Sequence, residues 1–298
     1  MGNETAVDPE TGRKFYLDYP DDLAPSERFV FLLSLHGGGS VGTWQRGYFP
    51  AHDFTDRHRL VVATPSAATV DPIRIWVAEA DDQYLENIVD LVFARFGREN
   101  VASFWLVGHS QGGMTSNRLL FTDFFSEKVD GWLSLSGGRI GPIEIPEAFF
   151  GRRTGPLPQF PLVGGQRPRP GAAVTPTADL SFIFASGEHE MVALPETSPW
   201  AERYGAGPRQ RLADIVDDKP GYVYDTTRAG NSTPAWGLEA RPGTAQVYVY
   251  PDAKDGRVIA DVVRLDKGHT EGLEPHVTEE LIKLMASAPG GKARSRVD

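Results

Sequence analysis

The chain has 298 residues, no cysteine, and 30 lysines and arginines against 40 aspartates and glutamates, a formal net charge of −10. Without cysteine there is no disulfide, thiolate metal site or cysteine nucleophile, and an acidic surface repels phosphate backbones and anionic lipid, so neither nucleic acid nor a membrane is an expected partner. No stretch reaches the roughly 18 apolar residues of a spanning helix, and the first residues lack a basic-then-apolar leader, which reads as a cytoplasmic protein or as one whose signal has been removed.

In chain order, apolar runs at 29–35, 60–64, 104–107, 131–135, 180–185, 247–250 and 262–265 predict strands. Between them, 82–96 places Leu85, Ile88, Val89, Val92, Phe93 and Phe96 at helical spacing, and 277–286 does the same near the end. Strands alternating with helices predict a mostly parallel sheet covered on both faces. One α/β domain over 1–298 is expected, because such folds of about 200 to 300 residues often stay undivided. Two stretches break the alternation. Residues 140–178 hold eight prolines and six glycines with Phe149, Phe150 and Phe160, and 195–244 carry Trp200, Tyr204, Tyr222, Tyr224 and Trp236. Long irregular segments are usually functional or disordered, so these are read as lid or pocket insertions, with Phe149, Phe150 and Trp200 as candidate substrate contacts. Residues 289–298 read as a polar tail.

The most informative string is Gly108-His109-Ser110-Gln111-Gly112, directly behind the run at 104–107 and ahead of a helical pattern. A serine on a tight strand-to-helix turn stands clear of the sheet as a nucleophile, and the residues two before and two after it must lack bulk. The helix that follows aims its N-terminal amides at developing negative charge. Acyl transfer also needs donors where a carbonyl oxygen becomes an anion. His36-Gly37-Gly38-Gly39 ends the strand at 29–35, so an amide of Gly37 or Gly38, with that of Gln111, forms the expected oxyanion hole. No Gly-Lys-Ser or Gly-x-Gly-x-x-Gly string supports a phosphate-binding reading of this turn. His36 is read as bracing the loop.

Chain order in this kind of site is serine, acid, histidine, which leaves His189, His269 and His276 as bases. His269 follows the run at 262–265 at a strand's C-terminal end and is the preferred base, while His276 sits at a helix start and reads as a surface residue. The acid is expected after the run at 180–185, where Ser186-Gly187-Glu188-His189-Glu190 offers two glutamates. Glu190, three residues past the glycine, is preferred, with Glu188 as the alternative. His189-Glu190 lacks the spacing of a zinc pair, so no metal is expected.

With these residues placed, the chain resembles the α/β-hydrolase superfamily over roughly 29–284, and within it the polyhydroxybutyrate depolymerase and feruloyl esterase group. The resemblance rests on the glycine turn after His36, Asp81-Asp82 opening a helix, Gly108-His109-Ser110-Gln111-Gly112-Gly113-Met114, Ser136-Gly137-Gly138 and Gly268-His269. It implies an α/β-hydrolase fold and a cofactor-free serine esterase that cleaves small or oligomeric carboxylic esters through an acyl-enzyme. The chain departs from that group in carrying Gly38 where a cysteine is common, and a glutamate where the acid is often aspartate. The same triad would serve a peptidase or amidase, and a non-catalytic binding protein on this fold is a further alternative.

Overall fold

The computed structural model describes residues 2–70, 73–138, 178–190, 194–223 and 234–295. In chain order the elements are β1 (Gly2–Val7), β2 (Lys14–Tyr19), β3 (Phe29–Leu35), α1 (Gly42–Tyr48), α2 (Thr55–His58), β4 (Leu60–Pro65), β5 (Thr69–Val70), β6 (Ile73–Arg74), α3 (Ala78–Phe96), β7 (Val101–His109), α4 (Gln111–Leu119), α5 (Asp123–Ser126), β8 (Gly131–Leu135), β9 (Ser181–Gly187), α6 (Pro199–Arg203), β10 (Gln210–Arg211), β11 (Ile215–Asp217), β12 (Gly243–Val249), β13 (Ile259–Arg264) and α7 (Pro275–Ser287). Every predicted apolar run lies in or overlaps a strand, and both predicted helices are present.

Among the described residues eleven strands form one sheet in the order β1-β2-β4-β3-β7-β8-β9-β13-β12-β10, with β11 also paired to β12, and β5 pairs only with β6. Strands β4 to β13 in that order are mutually parallel, while β2 and β12 run antiparallel to them at the flanks and β1 pairs antiparallel with β2. The chain steps from β3 to β4 on one side and then crosses back over β3 to place β7 on the other. Such a reversal opens a crevice at the C-terminal ends of the two strands it separates, which is where ligands bind in open α/β sheets. His36-Gly37-Gly38 leave β3 there and Ser110 leaves β7 there.

Strand alternation divides the core into two layers. Phe31, Leu33, Phe104 and Leu106 face one side with α3 residues Leu85, Ile88 and Val92, and Leu32, Trp105 and Val107 face the other with α7 residues Leu281, Ile282 and Met285. Burial on both faces is what a parallel strand requires and explains the continuous apolar runs. The hairpin of β1 and β2 is absent from the sequence reading because β1 (GNETAV) alternates half-buried and exposed positions and carries little apolar signal. The insertion at 195–244 holds α6, β10 and β11, whereas 139–177, with Phe149, Phe150 and Phe160, lies outside the described residues.

The tail expected from 289 onward is instead docked as far as Ser295. Ala293 is fully buried, and Arg98 donates to its carbonyl. The carboxylate of buried Asp130 accepts from the backbone N–H of Lys292 at 3.0 Å and of Phe104 at 3.0 Å, tying this segment to β7. A polar composition concealed the docking because the contact is made by backbone amides. Removing a buried carboxylate that satisfies several amides is expected to cost about 2–3 kcal/mol. Asp130→Ala should therefore shift the urea unfolding midpoint downward, and an unchanged midpoint would contradict the docking.

Candidate active site

Ser110 stands between β7 and α4 with φ 51° and ψ −117°, a left-handed conformation that costs a non-glycine residue about 1–3 kcal/mol. Its own N–H is held by the carbonyl of Leu135 at 2.9 Å. Glycine is required on both sides by close approach: a Cβ on Gly108 would lie 2.3 Å from backbone atoms of Gly112, and one on Gly112 would lie 2.3 Å from the carbonyl oxygen of Leu35. The turn at Ser110 is therefore pressed against the end of β3. Helix α4 is tied to α3 by an ion pair of Arg118 with Asp82 at 2.6 Å.

The glycine loop after β3 reaches the serine directly, since a Cβ on Gly37 would sit 3.2 Å from that of Ser110 and one on Gly38 would sit 3.3 Å from Oε1 of Gln111. Several groups that sequence reasoning did not single out hold this loop. Gly39 donates to the carbonyl of Arg74 at 2.7 Å, Gln111 Oε1 accepts from the N–H of Trp76 at 3.2 Å, and Trp76 Nε1 donates to the carbonyl of His36 at 2.8 Å. His36 is a brace, as expected. Its Nε2 accepts from Ala67 N–H at 3.0 Å, so Nδ1 carries the proton given to the Gly37 carbonyl at 2.6 Å. Burial drives its pKa down to about 4, and the ring stays neutral with both nitrogens occupied.

His269 and Glu190 meet. Nδ1 of His269 lies 3.0 Å and 3.2 Å from the two carboxylate oxygens of Glu190, and both side chains are under 10% exposed. A carboxylate only accepts, so Nδ1 bears the hydrogen and Nε2 keeps its lone pair. The turn carrying Glu190 is laced to the histidine loop by Glu188 N–H to the carbonyl of Arg264 at 2.9 Å and His189 N–H to that of Lys267 at 3.0 Å. Glu188 turns outward and accepts from the backbone N–H of Asp266 at 2.8 Å. His189 pairs with Asp266 at the surface, and exposed His276 donates from Nδ1 to the carbonyl of Val216 at the start of α7.

Two sets of contacts support the loop from 265 to 274. Beneath it, buried Arg264 donates to Glu274 at 2.9 Å and to the carbonyls of Glu271 and Gly272 at 2.7 and 2.8 Å. Buried Lys267 completes the network with Glu274 at 3.0 Å, and Glu271 accepts from Gly268 N–H at 2.6 Å. Above it, the end of the insertion runs close by: His269 donates to the carbonyl of Ala235 at 3.1 Å and Thr270 to that of Trp236 at 2.9 Å. The half-buried ring of Trp236 lies 5.0 Å from that of His269. Trp200, by contrast, is fully buried, stacked on Phe182 and Tyr204 in the core. It therefore anchors α6 and presents no surface to a substrate, contrary to expectation. The other two expected contacts, Phe149 and Phe150, lie outside the described residues. Tyr222 is exposed and bonded to Asp53.

Among the described residues no group of His, Asp and Glu is placed to hold a metal ion, and no helix is long and apolar enough to cross a membrane. A hollow of about 220 Å³ lined by Asn3, Glu4, Thr5, Tyr16, Asp18 and Arg46 lies at the β1–β2 edge, away from β7 in the sheet order.

No protein-family model matches the chain, and no curated protein matches it. Among solved structures, an acetyl xylan esterase from Aspergillus awamori superposes with a TM-score of 0.55 at 13% identity, over 95% of this chain and 98% of that one. A carboxylesterase from Bacillus subtilis gives 0.46 at 13% identity over 96% and 92%, and esterase 2 of Thermogutta terrifontis gives 0.42 at 19% over 63% and 72%. Only the first superposes well enough to speak to architecture. Combined with the parallel sheet and its strand order, that likeness gives this chain the α/β-hydrolase fold.

Proposed function

We propose that the chain is a serine hydrolase of carboxylic esters, working through Ser110, His269 and Glu190. One observation carries the reading: a buried carboxylate grips Nδ1 of His269 with both oxygens, at 3.0 and 3.2 Å, in a molecule that also strains a serine at the end of the strand beside the glycine loop. Nε2 of His269 takes the hydroxyl proton as Ser110 Oγ attacks the ester carbonyl, and Glu190 stabilises the imidazolium that results. The N–H of Gln111 and that of Gly37 or Gly38 receive the oxyanion, each such donor contributing about 3 kcal/mol to transition-state stabilisation. Collapse of the tetrahedral intermediate transfers the proton to the departing alcohol and leaves an acyl-enzyme. Water, deprotonated by the same imidazole, attacks that acyl group and restores the serine. No cofactor enters any step.

Ser110→Ala is expected to abolish hydrolysis of short-chain p-nitrophenyl esters while leaving the unfolding temperature near that of the parent, and retained turnover in the purified variant would sink the assignment. Preferential cleavage of aminoacyl anilides by the parent would instead assign the triad to amide chemistry. The two glutamates make opposite predictions. Glu190→Gln should lower kcat by about 10³ to 10⁴, the scale seen when a triad carboxylate is neutralised. Glu188→Gln should leave kcat within about twofold, because an exposed carboxylate that caps a backbone amide does not touch the imidazole. Reversed effects would move the acid to Glu188.

A further inference from the structure

With His269 as the base, the residue preceding the nucleophile acquires a role that a strand-end histidine does not need for packing. We propose that His109 is a positioning residue: by donating its Nε2–H to the main-chain carbonyl of His269, it sets the catalytic base relative to Ser110. This rests on the reading of His269 given above. The bond is 2.8 Å long, and since a carbonyl only accepts, Nε2 is the protonated nitrogen. His109 ends β7 directly before Ser110, so one residue couples the strained elbow to the loop that carries the base.

The surroundings allow the ring little freedom. It is 3% exposed, with ring centroids of Tyr48 at 4.2 Å, His269 at 4.9 Å and Trp44 at 5.2 Å. The hydroxyl of Tyr48 donates to the same His269 carbonyl at 3.4 Å, so two donors converge on one oxygen. On the opposite edge, Nδ1 finds no hydrogen-bond partner among the described residues. It faces the oxyanion loop, where a Cβ on Gly37 would lie 2.8 Å from it. A leucine or methionine would fill this space without stranding a buried acceptor. An imidazole with one orphaned nitrogen makes physical sense only if its other nitrogen does something those side chains cannot. Burial first, and the neighbouring His269 second, hold its pKa well below the usual histidine range, so it stays neutral and does not compete as a base.

The test compares His109→Met, which keeps bulk and removes the donor, with His109→Gln, whose amide nitrogen can reach the position of Nε2. The expected result is a kcat reduced about 10- to 100-fold in the methionine variant with KM within about twofold, since displacement of a catalytic group by about 1 Å costs up to that much. The glutamine variant should recover to within about fivefold of the parent. A methionine variant with parental kcat overturns the proposal. So does an equal loss in both variants that tracks their thermal unfolding midpoints, the signature of packing alone. If the methionine variant does not fold, His109→Asn, whose shorter amide falls short of the carbonyl, replaces it in the same comparison. His269→Ala separates the two claims: full activity there removes the base itself, whereas an inactive His269→Ala beside an unaffected His109→Met removes only the positioning role.

Discussion

The contact between Glu190 and His269 is the constraint on which the other parts of the site depend. A histidine alone has two tautomers and a freely rotating ring. A carboxylate that accepts at Nδ1, with both partners almost wholly buried, selects one tautomer and one orientation and leaves Nε2 as the available lone pair. Taking a carboxylate out of water is costly unless it is hydrogen-bonded and paired, so the surrounding chain must hold the two loops against each other. Backbone hydrogen bonds between the turn after β9 and the loop after β13 do this, and a Cβ on Gly187 would lie 2.2 Å from the Lys267 carbonyl oxygen, which measures how tightly the two loops cross.

The residues proposed as the reactive groups sit on short loops, yet each loop is held from several sides. Ser110 is fixed by the geometry of its turn and by Leu135. The glycine loop is braced by His36, Trp76 and the side chain of Gln111. The histidine loop rests on the buried network of Arg264, Lys267, Glu271 and Glu274 and is covered by the segment from Ala235 to Trp236. Charged groups at such depth are a poor source of net stability. Here they satisfy the main-chain carbonyls of Glu271 and Gly272 and the amide of Gly268, groups that an irregular buried loop would otherwise leave unpaired. The segment from Ala235 to Trp236 thus helps to hold the loop that carries His269.

The strands of the parallel sheet were legible because burial on both faces turns them into continuous apolar runs, and the elbow was legible because close backbone approach imposes glycines at fixed positions. The proposed order of acid and base along the chain rests on the same architecture. What could not be read depended on partners far apart in sequence. Glu190 is preferred over Glu188 on its distance from Gly187, but which of the two leaves the turn toward His269 depends on tertiary contacts. Trp200 has the composition of a pocket aromatic, and its burial against Phe182 is decided by tertiary packing. His109 occupies the variable position of the elbow motif, so nothing in the pattern marks its reach to the His269 carbonyl. Strand β1 and the docked end at 289–295 lack an apolar signature, the first because its positions alternate half-buried and exposed and the second because backbone amides and Asp130 make much of its attachment.

The account depends on a serine oxygen made nucleophilic by one imidazole, and covalent capture reports on this without any knowledge of the natural ester. Reaction of the purified protein with a fluorophosphonate, followed by peptide mass spectrometry, is predicted to give a single adduct on Ser110 that forms at least about 10³-fold more slowly in His269→Ala. An adduct on another residue, or labelling of Ser110 at the parental rate without His269, would contradict the account.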